Sequence, residues 1–115
     1  MHVTRFDKAK PYEAPGHFDM KMFRLQGRDA GPADMLWLGV SHLLPGGHTT
    51  FNASPEEKFY VVLDGAVTIE SDTGTETLLP WDSCRIAPNE NRALKNNTNK
   101  PATILLAMPL PKPTP

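Results

Sequence analysis

Lys58 to Gly65 reads KFYVVLDG, and the fold turns on these eight residues. Phe59 to Leu63 (FYVVL) are aromatic and branched side chains that suit a pleated, half-buried strand. Asp64–Gly65 is a tight-turn signal. Ala66 to Glu70 (AVTIE) returns as a second strand, Asp72–Thr73–Gly74 turns again, and Thr75 to Leu79 forms a third. The pattern extends in both directions. Upstream, Phe18 to Leu25 alternates apolar and polar with period two. Met35 to Leu44 is apolar on both faces, as in a strand covered on two sides, and Gly46–Gly47 is expected to break it. Downstream, Ser83 to Ile86 and Arg92 to Lys95 flank a Pro88–Asn89 turn, and Thr103 to Met108 closes the series. Gly27 to Asp34 reads as a polar loop with a helical turn after Pro32. Eight to nine short strands, punctuated every 8–12 residues, predict an all-β sandwich or barrel.

Composition agrees with one such domain. The chain has 115 residues, 12 prolines, one cysteine and a formal net charge of −1. Prolines at that frequency oppose long helices. A single cysteine excludes a disulfide framework and a cysteine-based zinc site. Scattered basic residues and near-neutral charge exclude a strongly basic nucleic-acid binder. No apolar run approaches the length of a membrane span, and the first residues lack an apolar signal-peptide region. A cytoplasmic protein is the expectation. The Pro-rich tail (residues 109–115) is expected to be extended.

These hairpins resemble the cupin family of small jelly-roll barrels. Pro45–Gly46 opens the first motif, and Lys58 to Gly65 matches its closing hairpin. Pro80–Trp81–Asp82–Ser83 and Ile86–Ala87–Pro88–Asn89 match the turns of the second, with Asn96 as its final asparagine and Pro101 before the last strand. The resemblance covers residues 35–108. It implies a cupin-like double-stranded β-helix of two antiparallel sheets, with residues 1–34 packed on it as N-terminal strands and a loop. It also implies a homodimer.

The same resemblance places the family's metal ligands, normally three His and one Glu, on Asn52, Ser54, Lys58 and Arg92. None suits a divalent ion, so no metal and no cofactor is expected. If Lys58 keeps the inward orientation of a ligand, Tyr60 and Val62 share its face, and Arg92 approaches from the opposite motif. Two cations in an apolar barrel call for an anionic partner such as a carboxylate, an enolate or a phenolate. Arg offers planar paired hydrogen bonds to a carboxylate. A lysine whose pKa is lowered by burial can act as a base. Glu56 or Glu57 at the rim is the alternative partner for Lys58, and Glu90 for Arg92.

Tyr60 and His42 are candidates to move a proton, or else packed core residues. His48, Asn52, Ser54 and Trp81 are candidates to touch substrate; their plain alternatives are loop, turn and core-covering roles. Cys84 reads as buried and inert, and His2 and His17 are given no role. The resulting expectation is a metal-independent enzyme of isomerase or lyase type acting on a small anionic or enolisable compound. Two alternatives stand beside it. One is a non-catalytic small-molecule binder. The other is a metal-dependent, dioxygenase-like cupin with unusual ligands, His42, His48 and Glu57.

Overall fold

A computed structural model describes residues 1–111. Among them nine strands carry the architecture: β1 (Lys10–Tyr12), β2 (His17–Gln26), β3 (Leu36–Thr49), β4 (Lys58–Asp64), β5 (Val67–Ser71), β6 (Gly74–Leu78), β7 (Ser83–Ile86), β8 (Arg92–Lys95) and β9 (Ala102–Pro109). All pairings are antiparallel. The hydrogen-bonded path runs β6-β5-β8-β3-β9-β4-β7, with β2 on β3 and β1 on β2. It curls into a nearly closed jelly-roll barrel, as the turn spacing and hairpin motifs lead one to expect.

Three local readings change. Gly46–Gly47 does not end the third strand; β3 continues through Thr49. Gly46 takes φ +82°, a conformation open to glycine, and the strand bends there. Its first half pairs with β9, whereas His48 pairs with Lys95 of β8. This bend is what joins the two sheets of the jelly roll into one path. The helical turn in the Gly27–Asp34 loop is a 3-10 turn at Arg28–Ala30, ahead of Pro32 rather than after it. The short strand β1 is unforeseen, because three residues are too few for a periodic signal. Of the expected tail, Pro109 ends β9 and residues 112–115 lie outside the described residues. No helix among the described residues is long and apolar enough to cross a membrane.

Strand alternation decides which side chains fill the barrel. Leu43, Val62, Val67, Ile69, Leu78, Ile86, Leu94, Ala102 and Ile104 form its core, with Tyr60 among them. The other end of the barrel stays open. Two devices fix the walls. Gly65 sits at φ +74° in the β4–β5 turn, and a Cβ there would come within 2.9 Å of the Pro101 carbonyl oxygen. Asn96 is fully buried. Its Nδ2 donates to the carbonyls of Leu43 (3.0 Å) and Lys100 (2.7 Å), and its Oδ1 accepts from the amide and hydroxyl of Thr98. One side chain thereby ties β3 to the loop that leads into β9.

Asn96→Ala leaves these buried partners unsatisfied, and each such group costs about 1–3 kcal/mol. Partial rehydration of the loop recovers some of that. A net loss of about 3 kcal/mol is expected in urea denaturation, with the m-value unchanged. A loss below about 1 kcal/mol would show that the loop is held some other way.

Candidate functional site

The open end of the barrel holds a cavity of about 260 Å³. Ser54, Lys58, Arg92, Leu106 and Met108 line one side. Lys58 starts β4 on the inward phase shared with Tyr60 and Val62, all three buried. Arg92 starts β8 on the inward phase shared with Leu94. Lys58 is 4% exposed and Arg92 7%. Neither forms an ion pair; among the described residues the salt bridges are Arg24–Asp29 and Arg85–Glu57. Of the rim partners expected from sequence, Glu56 acts on Lys58 through its charge without an ion pair, and the other two are taken up elsewhere. Glu57 holds Arg85, and Glu90 accepts from the Ala87 amide and the Thr73 hydroxyl.

Neutral groups hold both cations in place. Lys58 Nζ donates to Ser54 Oγ at 2.6 Å and to the Glu56 carbonyl at 3.5 Å. Arg92 Nε donates to the Tyr60 hydroxyl at 2.9 Å, and its Nη1 donates to Asn52 Oδ1 at 3.2 Å and Thr49 Oγ1 at 3.5 Å. These bonds engage Nε and Nη1 of Arg92, so Nη2 remains for a ligand. Burial, reinforced by the Arg92 charge, lowers the Lys58 pKa, and the Glu56 charge opposes this only in part. Burial also raises the pKa of Tyr60, against the pull of Arg92. Tyr60 is thus a neutral phenol behind Arg92, and it positions the guanidinium.

The structure therefore brings Lys58, Arg92, Tyr60, Asn52 and Ser54 together and places the other candidates elsewhere. His42 lies on the outer face of β3. Its ring packs edge-on against Phe6 and Phe23, and Nδ1 is 3.1 Å from Thr103 Oγ1. The inward phase of β3 is Trp37, Gly39, Ser41 and Leu43, all buried. Both faces of this strand are apolar because Phe6 and Phe23 cover the outer one, so its sequence could not tell inside from outside. His48 also faces outward, stacked on Phe18 at 5.0 Å. Trp81 is 78% exposed at φ +73° in the turn between β6 and β7. Cys84 is half-buried, with its thiol pushed up to about 11 mainly by burial.

The rest of the lining is what sequence reading left out. Tyr12, Glu13, His17, Arg24, Arg28 and Trp37 complete it, with Trp37 paired to Met108 on the neighbouring strand. The Arg24 guanidinium lies 4.0 Å from the Tyr12 ring centroid and 4.8 Å from that of Trp37. A Cβ on Gly39 would meet Trp37 at 2.7 Å and the Tyr12 hydroxyl at 3.2 Å, so the missing side chain there makes room for this stack. The available signal was phase. In β2, Arg24 falls on the same side as Met20 and Met22, and an arginine in the buried phase of an amphipathic strand points into the barrel.

The metal that a jelly-roll barrel of this kind holds does not fit these residues. Its four positions carry Asn52, Ser54, Lys58 and Arg92, two of them cations that repel a divalent ion. The alternative set does not assemble either. His42 and His48 lie outside the barrel and Glu57 is paired with Arg85. Among the described residues no group of three His, Cys, Asp or Glu side chains is placed to hold an ion.

No family model matches the chain. A protein of Mycobacterium tuberculosis named a beta-D-galactosidase is 40% identical over 112 residues, covering 96% of each chain. Two solved structures share the fold. The polyketide cyclase RemF from Streptomyces resistomycificus has a TM-score of 0.85 at 22% identity, over 99% of this chain and 82% of its own. A sugar phosphate isomerase of the cupin superfamily from Silicibacter pomeroyi has a TM-score of 0.78 at 21% identity, over 93% and 74%. At these identities the likeness to the structures speaks for the fold alone.

A buried unpaired ammonium weakens a protein, so Lys58→Met is expected to raise stability at pH 7 by about 1 kcal/mol or more. The pH dependence has a definite sign. The folded pKa of Lys58 lies below its unfolded value, so the unfolded chain binds more protons between the two. Wild-type stability then rises as pH climbs from neutral toward that unfolded value. Below pH 10, before tyrosines ionise, Lys58→Met should lack the rise. Parallel denaturation curves for both proteins across pH 7–10 would refute the buried charge.

Proposed function

We propose that this chain, which has the cupin fold, is a metal-independent cupin that takes a small organic acid into the barrel and moves a proton on it. The supporting observation is the pair of buried cations, Lys58 and Arg92, facing one cavity without a carboxylate on either. Arg92 holds the acid group through Nη2, steadied by Tyr60 and Asn52. Lys58, oriented by Ser54, is the base.

In its neutral form the Lys58 amine accepts a proton from a carbon beside a carbonyl group of the held acid. The C–H bond breaks, its electron pair moves into the forming enolate, and Lys58 becomes an ammonium. Arg92 and the new ammonium offset the negative charge as it develops. Return of the proton to a neighbouring carbon gives an isomer, and loss of a leaving group from that carbon gives a lyase product. Lowering the pKa of Lys58 favours the neutral amine that this step needs.

A non-catalytic binder is the second reading, favoured by the positions of Tyr60 and His42. Tyr60 is 2% exposed behind Arg92, and His42 is outside the barrel. Lys58 then carries the chemistry alone. The name of the mycobacterial relative suggests glycoside hydrolysis. That reaction ordinarily uses two carboxyl groups flanking the bond, whereas Glu13 is the one carboxylate among the described residues lining this cavity. A homodimer also belongs to this proposal. The outer face of β3, β9 and β4 exposes Leu36 and Phe59 beside Met35, an apolar surface suited to a second copy.

Small carboxylates are expected to bind in calorimetric titration. Arg92→Met and Lys58→Met should each weaken them at least tenfold while the fold is kept. Proton exchange of 2-oxobutyrate in D2O, followed by NMR, should exceed background and vanish in Lys58→Met. Binding without exchange of any bound acid would favour the binder. Turnover of nitrophenyl β-galactoside, abolished in Glu13→Gln, would replace both readings. In sedimentation, the particle is expected at twice the 12.7 kDa chain mass.

A further inference from the structure

The cavity gathers cations in two separate groups. Arg24, Arg28, Lys58 and Arg92 all line it. Three carboxylates stand against them, and Glu56 acts on Lys58. Glu13 is at the rim, and Asp29, 47% exposed, reaches Arg24 Nη1 at 3.4 Å. Arg24 itself is deep, with its side chain 13% exposed, and its Nε is buried without any hydrogen-bond partner. Among the described residues no other buried side-chain nitrogen or oxygen lacks one. Native structures leave few such groups unanswered, and each calls for an explanation. The aromatic faces of Tyr12 and Trp37 hold the guanidinium flat but accept no in-plane hydrogen bond from Nε. Arg28 lies beside it, 5.9 Å from the Trp37 ring centroid. Arg24 on β2 and Arg28 in the turn after it thus present a second, partly unanswered cationic group in the same cavity, with β3 and β9 between it and Lys58 on β4.

From this geometry we infer that the ligand is a small compound with two acid groups, one held by Lys58 and Arg92 and the other by Arg24 and Arg28. The inference rests on the acid-binding reading above and extends it to the substrate class. Size agrees. At about 30 Å³ for each water-sized group, a cavity of about 260 Å³ takes roughly nine such groups. That is the scale of a four-carbon dicarboxylate or of a two-carbon acid bearing a phosphate. The second group meets a planar, stacked guanidinium, which suits the paired oxygens that a carboxylate and a phosphate share.

Calorimetric titration of the whole protein with two matched pairs tests this. Succinate is compared with butyrate, and phosphoglycolate with glycolate. The doubly acidic member of at least one pair is expected to bind ten times more tightly or better. The pair that shows the difference separates a second carboxylate from a phosphate. Arg28→Gln, at an exposed position, and Arg24→Gln should bring that ratio toward one without changing the affinity for the monoacid. Arg24→Lys, which keeps the charge, should retain part of it. A ratio near one in both pairs, or a ratio that survives Arg24→Gln and Arg28→Gln, overturns the inference. In either case monoacid binding that is lost in Lys58→Met leaves the parent reading standing. Failure of all four acids to bind removes both.

Discussion

A strand's period of two cannot be negotiated residue by residue. In β4 it sends Lys58 to the same side as Tyr60 and Val62, and that side is the inside of the barrel. The apolar residues fix the register, since a slip by one would turn Tyr60 and Val62 to water and expose the core. The ammonium is carried along. Most of what distinguishes the site follows from this constraint. The Ser54 hydroxyl meets Nζ, the pKa of Lys58 falls, and Arg92 deepens that fall from the facing strand. Desolvation of an unpaired cation opposes folding, so the rest of the molecule must outweigh it. It does so with the packed end of the barrel and with neutral locks such as Asn96, which stabilise the walls without neutralising the charge.

Neutral anchoring matters chemically. A carboxylate on Lys58 would hold it protonated and occupy the place of an acidic ligand. Hydroxyls, a carbonyl and an amide oxygen orient the two cations and leave their charge available. Two of the acids that could have quenched them are engaged elsewhere, Glu57 on Arg85 and Glu90 on a backbone amide, and Glu56 forms no ion pair with Lys58. Tyr60 links the two ends of the barrel. Its ring belongs to the core and its hydroxyl receives Arg92, so packing at the closed end sets where the guanidinium stands at the open one.

How much of this was legible follows the same physics. Strand after strand could be read, because turns at Asp64–Gly65 and Asp72–Gly74 bracket short β-branched runs. Lys58 and Arg92 could be placed because the resemblance of the hairpins to the cupin motifs puts them on ligand positions. His42 could not. Its strand is apolar on both faces, and only the packing of Phe6 and Phe23 from distant sequence shows which face is outer. The bend at Gly46 was hidden for a related reason: a glycine pair marks a break or a kink equally well, and pairing with β8 decides between them. The wall formed by Tyr12, Arg24 and Trp37 is non-local. Its parts lie on three strands, and its cation–aromatic contacts exist only once β1 and β2 have paired beside β3.

That wall also explains why likeness of fold is a poor guide to the occupant. The barrel supplies inward positions at fixed places around a mouth; the side chains there set the sign of the charge they present. Imidazoles and a carboxylate at those places attract a cation. Here the same places carry an amide, a hydroxyl, an ammonium and a guanidinium, while β2 and the turn after it add Arg24 and Arg28 from outside the hairpin pattern. Inverting the charge in this way inverts the ligand without disturbing a single strand, because alternation fixes direction and is indifferent to what is hung on it. Chemistry therefore has to be read from the pairing of each charge. On that measure the decisive feature is a set of cations whose nearest carboxylates are too few and too exposed to answer them.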